Sequence, residues 1–202
     1  KQSIMRVFIA VLVLIFSLQS WTKADDIRDF EIEGFVMFDN LLDHADKLNL
    51  TREDIKNKKM SFYPNSTRIG LLRFNGVAGF EIYDDIQFAV DAKTYKIYTI
   101  FGILNDFNTK EKCSKKQKEI IKSLHKMAPS AVKDVEDYTP HDADASGKSI
   151  ASGIYLDFDN GHSLSAECYI WSQDFKDKGY DNNLKINIES KEGRLFVQNE
   201  AY

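Results

Sequence analysis

The stretch that decides the fold is residues 154–171, IYLDFDNGHSLSAECYIW. It reads as a β-hairpin: two runs of β-branched, aromatic and alternating residues around Asn160-Gly161. A two-residue turn at Asn160-Gly161 would set Asp159 opposite His162. Leu156 and Ile154 would then face Ser165 and Glu167, mixing apolar and polar side chains on one surface. A three-residue loop, Asp159-Asn160-Gly161, moves the pairing by one. Leu156 then opposes Leu164, Ile154 opposes Ala166 and Ser152 opposes Cys168. A one-residue slip turns every side chain to the other face, so burial selects the second register. Gly161 is thereby expected in the left-handed conformation of a bulged loop.

Working outward, the next clear element is a helix over about 109–128, ended by Pro129. Asn108 and Glu111 stand at capping-box spacing. Cys113, Gln117, Ile120, Ile121, Leu124, Met127 and Ala128 recur at intervals of three and four, giving one core-facing stripe. Strands are expected over 60–63, 71–74, 86–90, 96–104 and 184–188, punctuated by Gly70, Asn75-Gly76, Gly79 and Asp84-Asp85. Residues 30–55 read as helical, with Asp39 capping one turn and Thr51 a second, where Asp54 sits third. The expected fold is α+β: an antiparallel sheet packed against one long amphipathic helix, with short helices near the N-terminus. No linker, repeat or low-complexity tract divides the chain, so residues 25–202 are expected to form a single domain.

The N-terminal run Val7–Leu18, VFIAVLVLIFSL, follows Arg6 and is almost wholly apolar. At about 1.5 Å per residue it is too short for a bilayer core of about 30 Å. Small residues Thr22 and Ala24 flank a cleavage point, so residues 1–24 are expected to be a signal peptide. No later segment is apolar enough to span a membrane, and the product is expected to be secreted or periplasmic. Cys113 and Cys168 would then meet an oxidising space. One falls on the helix stripe and the other on the apolar face of the hairpin, so a Cys113–Cys168 disulfide is expected.

The composition, 43% hydrophobic and 29% charged, excludes a disordered chain. The formal net charge of -4 disfavours general nucleic-acid binding, which needs surplus positive charge against phosphate. Asn49-Leu50-Thr51 and Asn65-Ser66-Thr67 are glycosylation sequons, used only in a eukaryotic source.

Taken together, DDIRDFEIEG (25–34), YDDIQFAVDAKTYKIYTIFGIL (83–104), EKCSKKQKEIIKSL (111–124) and SAECYIWS (165–172) resemble uncharacterised secreted, periplasmic proteins of marine bacteria. The resemblance implies an exported α+β protein and carries no activity. Phe35-Val36-Met37-Phe38 is more apolar than that group's pattern.

Chemistry-bearing residues are few. Asp142, Asp144, Ser146 and Gly147 have the spacing D-x-D-x-S-G, the first half of a calcium loop. The twelfth position is Gly153, where a bidentate Glu is needed. Gly147-Lys148-Ser149 mimics the end of a phosphate loop without its earlier glycine. Among His44, His125, His141 and His162 no pair has helix metal-ligand spacing, although His141 and His162 could approach in space. Asp157 and Asp159 lie two apart on a strand. No cofactor is implied. The helix carries Lys110, Lys112, Lys115, Lys116, Lys118, Lys122 and Lys126 against only Glu111 and Glu119. Lys115, Lys118, Lys122 and Lys126 are the expected contacts for an anionic cell-envelope component. Two functions follow: a non-catalytic binding or envelope-interaction domain, or a small secreted hydrolase whose carboxylates and histidines meet only in space.

Overall fold

A computed structural model describes residues 26–202; the expected signal peptide lies outside the described residues. The N-terminal part holds the short strands β1 (Glu31–Ile32) and β2 (Phe35–Val36), then 3-10 turns over Leu41–His44 and Asp46–Leu48, then helix α1 (Arg52–Asn57). Strands β3 (Ser61–Tyr63), β4 (Ser66–Asn75), β5 (Asp85–Asp91) and β6 (Ile97–Leu104) follow. Helix α2 (Lys110–Met127) leads to β7 (Val132–Pro140), β8 (Ile150–Asp157) and β9 (Ser163–Ile170). The chain ends with α3 (Gln173–Lys176), β10 (Asn183–Glu189) and α4 (Lys191–Asn199). Strands β3 to β10 form one eight-stranded sheet in the order β3-β4-β5-β6-β10-β9-β8-β7, with every neighbouring pair antiparallel.

This corrects the expected fold. The chain is mostly β, and its architecture is the wide sheet with a separate two-stranded sheet, not one long helix packed on a sheet with helices before it. Two segments carry the difference. Residues 30–36 form a hairpin because Glu33 and Gly34 both adopt positive φ (51° and 75°), the geometry of a type I′ turn. The sequence pattern assigns no element to residues 132–140, whose charges break any apolar period. They pair with β8 as an edge strand, whose outer side chains need no apolar partner.

The hairpin register is as expected: Leu156 pairs with Leu164, Ile154 with Ala166 and Ser152 with Cys168. Gly161 has φ 88° and donates its N–H to the Phe158 carbonyl at 2.8 Å. The α2 cap is shifted by one residue: Thr109, not Asn108, accepts the Lys112 amide at 3.2 Å. At the first turn before α1, Asn40 rather than Asp39 is the cap. Thr51 caps α1 in a capping box with Asp54.

One sheet face is covered and the other is largely open. On the covered face, Phe88, Ile100, Ile154, Leu156, Leu164 and Ile186 are buried with Phe30, Phe35, Met37 and Leu41 from the N-terminal turns. Helix α2 packs over β8 and β9 and brings Ile120, Ile121 and Leu124 to that core. On the opposite face, among the described residues, α4 forms a lid, burying Phe196 against Ile69, Ala89 and Ala201.

Candidate functional site

Cys113 and Cys168 form a disulfide with Cα atoms 6.0 Å apart, fixing the first turn of α2 over β9. One turn on, buried Gln117 donates from Nε2 to the carbonyls of Ala166 at 2.8 Å and Ser152 at 3.3 Å. These two anchors set the rotation of the helix. Its lysines at 118, 122 and 126 therefore follow one row of i, i+4 neighbours. Across from them runs β7, where pairing with Leu156 puts Lys133 on the same sheet face as the helix. The sheet projects one strand beyond α2, and a groove opens on the ledge. Its volume is about 480 Å³, and it is lined by Lys118, Ile121, Lys122, His125, Lys126 and Lys133. Four lysines contribute to its walls, with no acidic side chain in the lining. A concave wall of one sign focuses potential and concentrates counter-ions.

The expected lysines divide. Lys118, Lys122 and Lys126 line the groove, while exposed Lys115 sits a turn away, outside it. Lys110 lies over the Tyr138 ring at 5.1 Å, and Lys112 donates to the Asp106 carbonyl at 2.5 Å. Lys116 is half-buried; desolvation lowers its pKa, opposed by nearby Glu119. Sequence reading missed Lys133 because its strand was not recognised.

The D-x-D-x-S-G loop has a different use. Asp144 Oδ1 accepts from the Ser146 hydroxyl at 2.6 Å and amide at 3.0 Å. Its Oδ2 accepts from the Ser149 hydroxyl at 2.6 Å and amide at 2.9 Å, and from the Ser172 hydroxyl at 3.0 Å. These bonds, those from Ser146 first, hold its carboxyl well below the usual carboxylate range. Asp142 stays exposed and Ser146 is spent on Asp144, so the three residues form an Asx-type loop that ties β8 to the end of β9. Among the described residues no three His, Cys, Asp or Glu side chains converge as a metal site. His141 and His162 stand at opposite ends of β9, eight residues long, and do not meet. His141 packs on Trp171 at 4.8 Å, and His162 on Phe38 at 5.7 Å. Asp157 pairs with Arg194 of α4 and Asp159 points out at the loop, so these two do not act as a pair.

No protein family, curated protein or solved structure matches this chain. The chemistry of the groove is thus read from its own residues. Lysine ammonium groups on flexible stems act as point charges, suited to arrays of phosphate or carboxylate and not to one rigid bidentate partner. Ile121 and the lysine stems give the groove an apolar base.

Proposed function

We propose that the protein is an exported, non-catalytic binding domain whose α2–β7 groove holds an anionic component of the cell envelope. The observation that carries this reading is the meeting of Lys118, Lys122, Lys126 and Lys133 in one acid-free groove of a net-acidic protein. Export is supported by the Cys113–Cys168 disulfide, a bond that persists in oxidising compartments. Among the described residues no helix is long and apolar enough to cross a membrane. The ligand chemistry is a repeated phosphate or carboxylate, supplied by lipid headgroups or by a soluble polymer.

Sedimentation with phosphatidylglycerol vesicles and titration with soluble polyphosphate separate the two sources. Each basic residue near an anionic surface contributes about 1 kcal/mol, so Lys122→Glu is expected to weaken binding about tenfold or more. Raising salt should weaken it further. Absence of binding to both probes, or binding unchanged in Lys122→Glu, would overturn the reading.

A further inference from the structure

One residue in the wall of the α2–β7 groove differs in kind from the lysines around it. His125 stands in the last turn of α2, four residues after buried Ile121. That spacing puts it on the row next to Lys118, Lys122 and Lys126, and its side chain is half-buried while theirs are exposed. The other three histidines have their rings committed within the protein. His44 Nε2 bonds Asp39 at 2.8 Å, His141 Nδ1 accepts the Ala143 amide at 3.1 Å, and His162 Nδ1 accepts the Lys191 amide at 2.9 Å. Among the described residues the His125 ring has no hydrogen-bond or ion-pair partner, and it faces the groove.

The charged groups around this ring are all of one sign. From α2 they are Lys118, Lys122 and Lys126, and from β7 Lys133. The turn that follows the helix, Ala128 to Ala131, brings no charge. On β8, Leu156 is the residue paired with Lys133; its neighbour Asp157 turns to the other sheet face and pairs with Arg194. The C-terminal end of α2 adds the partial negative charge of its last carbonyls, which favours a positive ring.

These surroundings couple the ring's proton to the groove's ligand. Histidine is the side chain whose charge changes between about pH 5 and 8, whereas lysine ammonium groups keep theirs throughout that range. A protonated ring carries a full charge and donates from both nitrogens; a neutral ring donates from one. Without an anion the charged form has only other cations beside it in the groove. A bound polyanion supplies the opposite charge and acceptors for both N–H groups. Protonation then favours binding, and binding favours protonation by the same factor. One added positive contact at an anionic surface corresponds to about fivefold in affinity.

We propose that His125 makes anion capture in this groove proton-linked: the ring takes up a proton as the anion binds, so the protein holds its ligand more tightly in acid. The inference rests on the groove being an anion site, as argued above. The test is calorimetric titration with long-chain polyphosphate, whose internal phosphates stay ionised, at about pH 5.5 and about pH 8 and in two buffers of different ionisation enthalpy. The parent is expected to bind about fivefold more tightly at the lower pH and to take up a proton on binding. His125→Gln should bind at the weaker level at both pH values, and His125→Lys at the stronger level at both. Gln and Lys are good helix formers, so both variants keep α2. Glu189, which titrates near 7 on the other sheet face, is common to all three proteins and cancels in the comparison. Binding by the parent with equal affinity at both pH values, or an equal pH dependence in both variants, would overturn the proposal while leaving the anion groove standing. Failure of the parent to bind polyphosphate at either pH would overturn both.

Discussion

The two faces of the eight-stranded sheet solve the same problem differently. The covered face is apolar, closed by α2 and the N-terminal turns, and fastened by a disulfide. The open face keeps the paired Lys185 and Glu167 half-buried in one row and Glu189 half-buried in another, with the Asn187–Ser165 pair between them and α4 as a partial lid. A sheet with one solvated face needs only alternation along each strand. Here the solvated side has ionisable groups held where water reaches them poorly, a costly arrangement that apolar packing would have avoided. The disulfide and the main apolar core lie on one face, and Lys185 and Glu189, both with shifted proton affinity, lie on the other.

The largest expected effect breaks the covered face. Replacing Cys113 and Cys168 with Ala opens a loop of sequence separation 55. Chain entropy then costs about 4 kcal/mol, an upper figure when strain is present. Urea unfolding of the double variant should show this loss; an unchanged midpoint would mean that Gln117 and the core alone hold α2.

The open face responds to pH instead. Burial, then the charge of Glu167, pushes the Glu189 carboxyl up to about 7; Arg194 opposes this and Asp157 adds to it. A carboxyl raised above its unfolded value favours the folded state most when protonated. That contribution is complete below the unfolded pKa near 4.5 and is lost as pH rises through about 7. Glu189→Gln should therefore flatten the decline, gaining about 1–3 kcal/mol relative to the parent at pH 8 compared with pH 4. Parallel stability curves for parent and variant would show that Glu189 does not titrate in this window.

The hairpin that assigns residues to the two faces gives the smallest effect. Gly161 needs positive φ, and a Cβ there would stand 3.0 Å from Lys191 Cδ. Gly161→Val should cost about 1 kcal/mol or more. Amide exchange would locate the damage at the β8–β9 loop, with the registers of both faces retained.

The parts of the fold visible in the sequence are those where periodicity and burial agree. The hairpin register, the α2 stripe and the disulfide all rest on apolar side chains at spacings of two or three to four, each facing one core. The missed parts rest on other physics. Edge strand β7 is written VKDVEDYTP, with Val132 and Val135 exposed at 64% and 52%, so nothing buried records its pairing. The first hairpin depends on Glu33 tolerating φ 51°, a conformation that composition does not announce. Lysines 118, 122 and 126 were legible as one row on a helix. Their fourth partner, Lys133, was not, because the groove exists only where α2 stops short of the sheet edge. The loop at 142–149 had the spacing of a cation site, and three serines took up its carboxylate instead.

The central claim is that anion binding belongs to one face and one groove. It is tested most directly by residue-resolved NMR of the uniformly labelled protein during titration with polyphosphate. The account predicts saturable shifts confined to Lys118, Ile121, Lys122, His125, Lys126 and Lys133, with Gln87, Phe101 and Asn187 unmoved. Shifts spread over all exposed lysines, or centred on the open face, would contradict it.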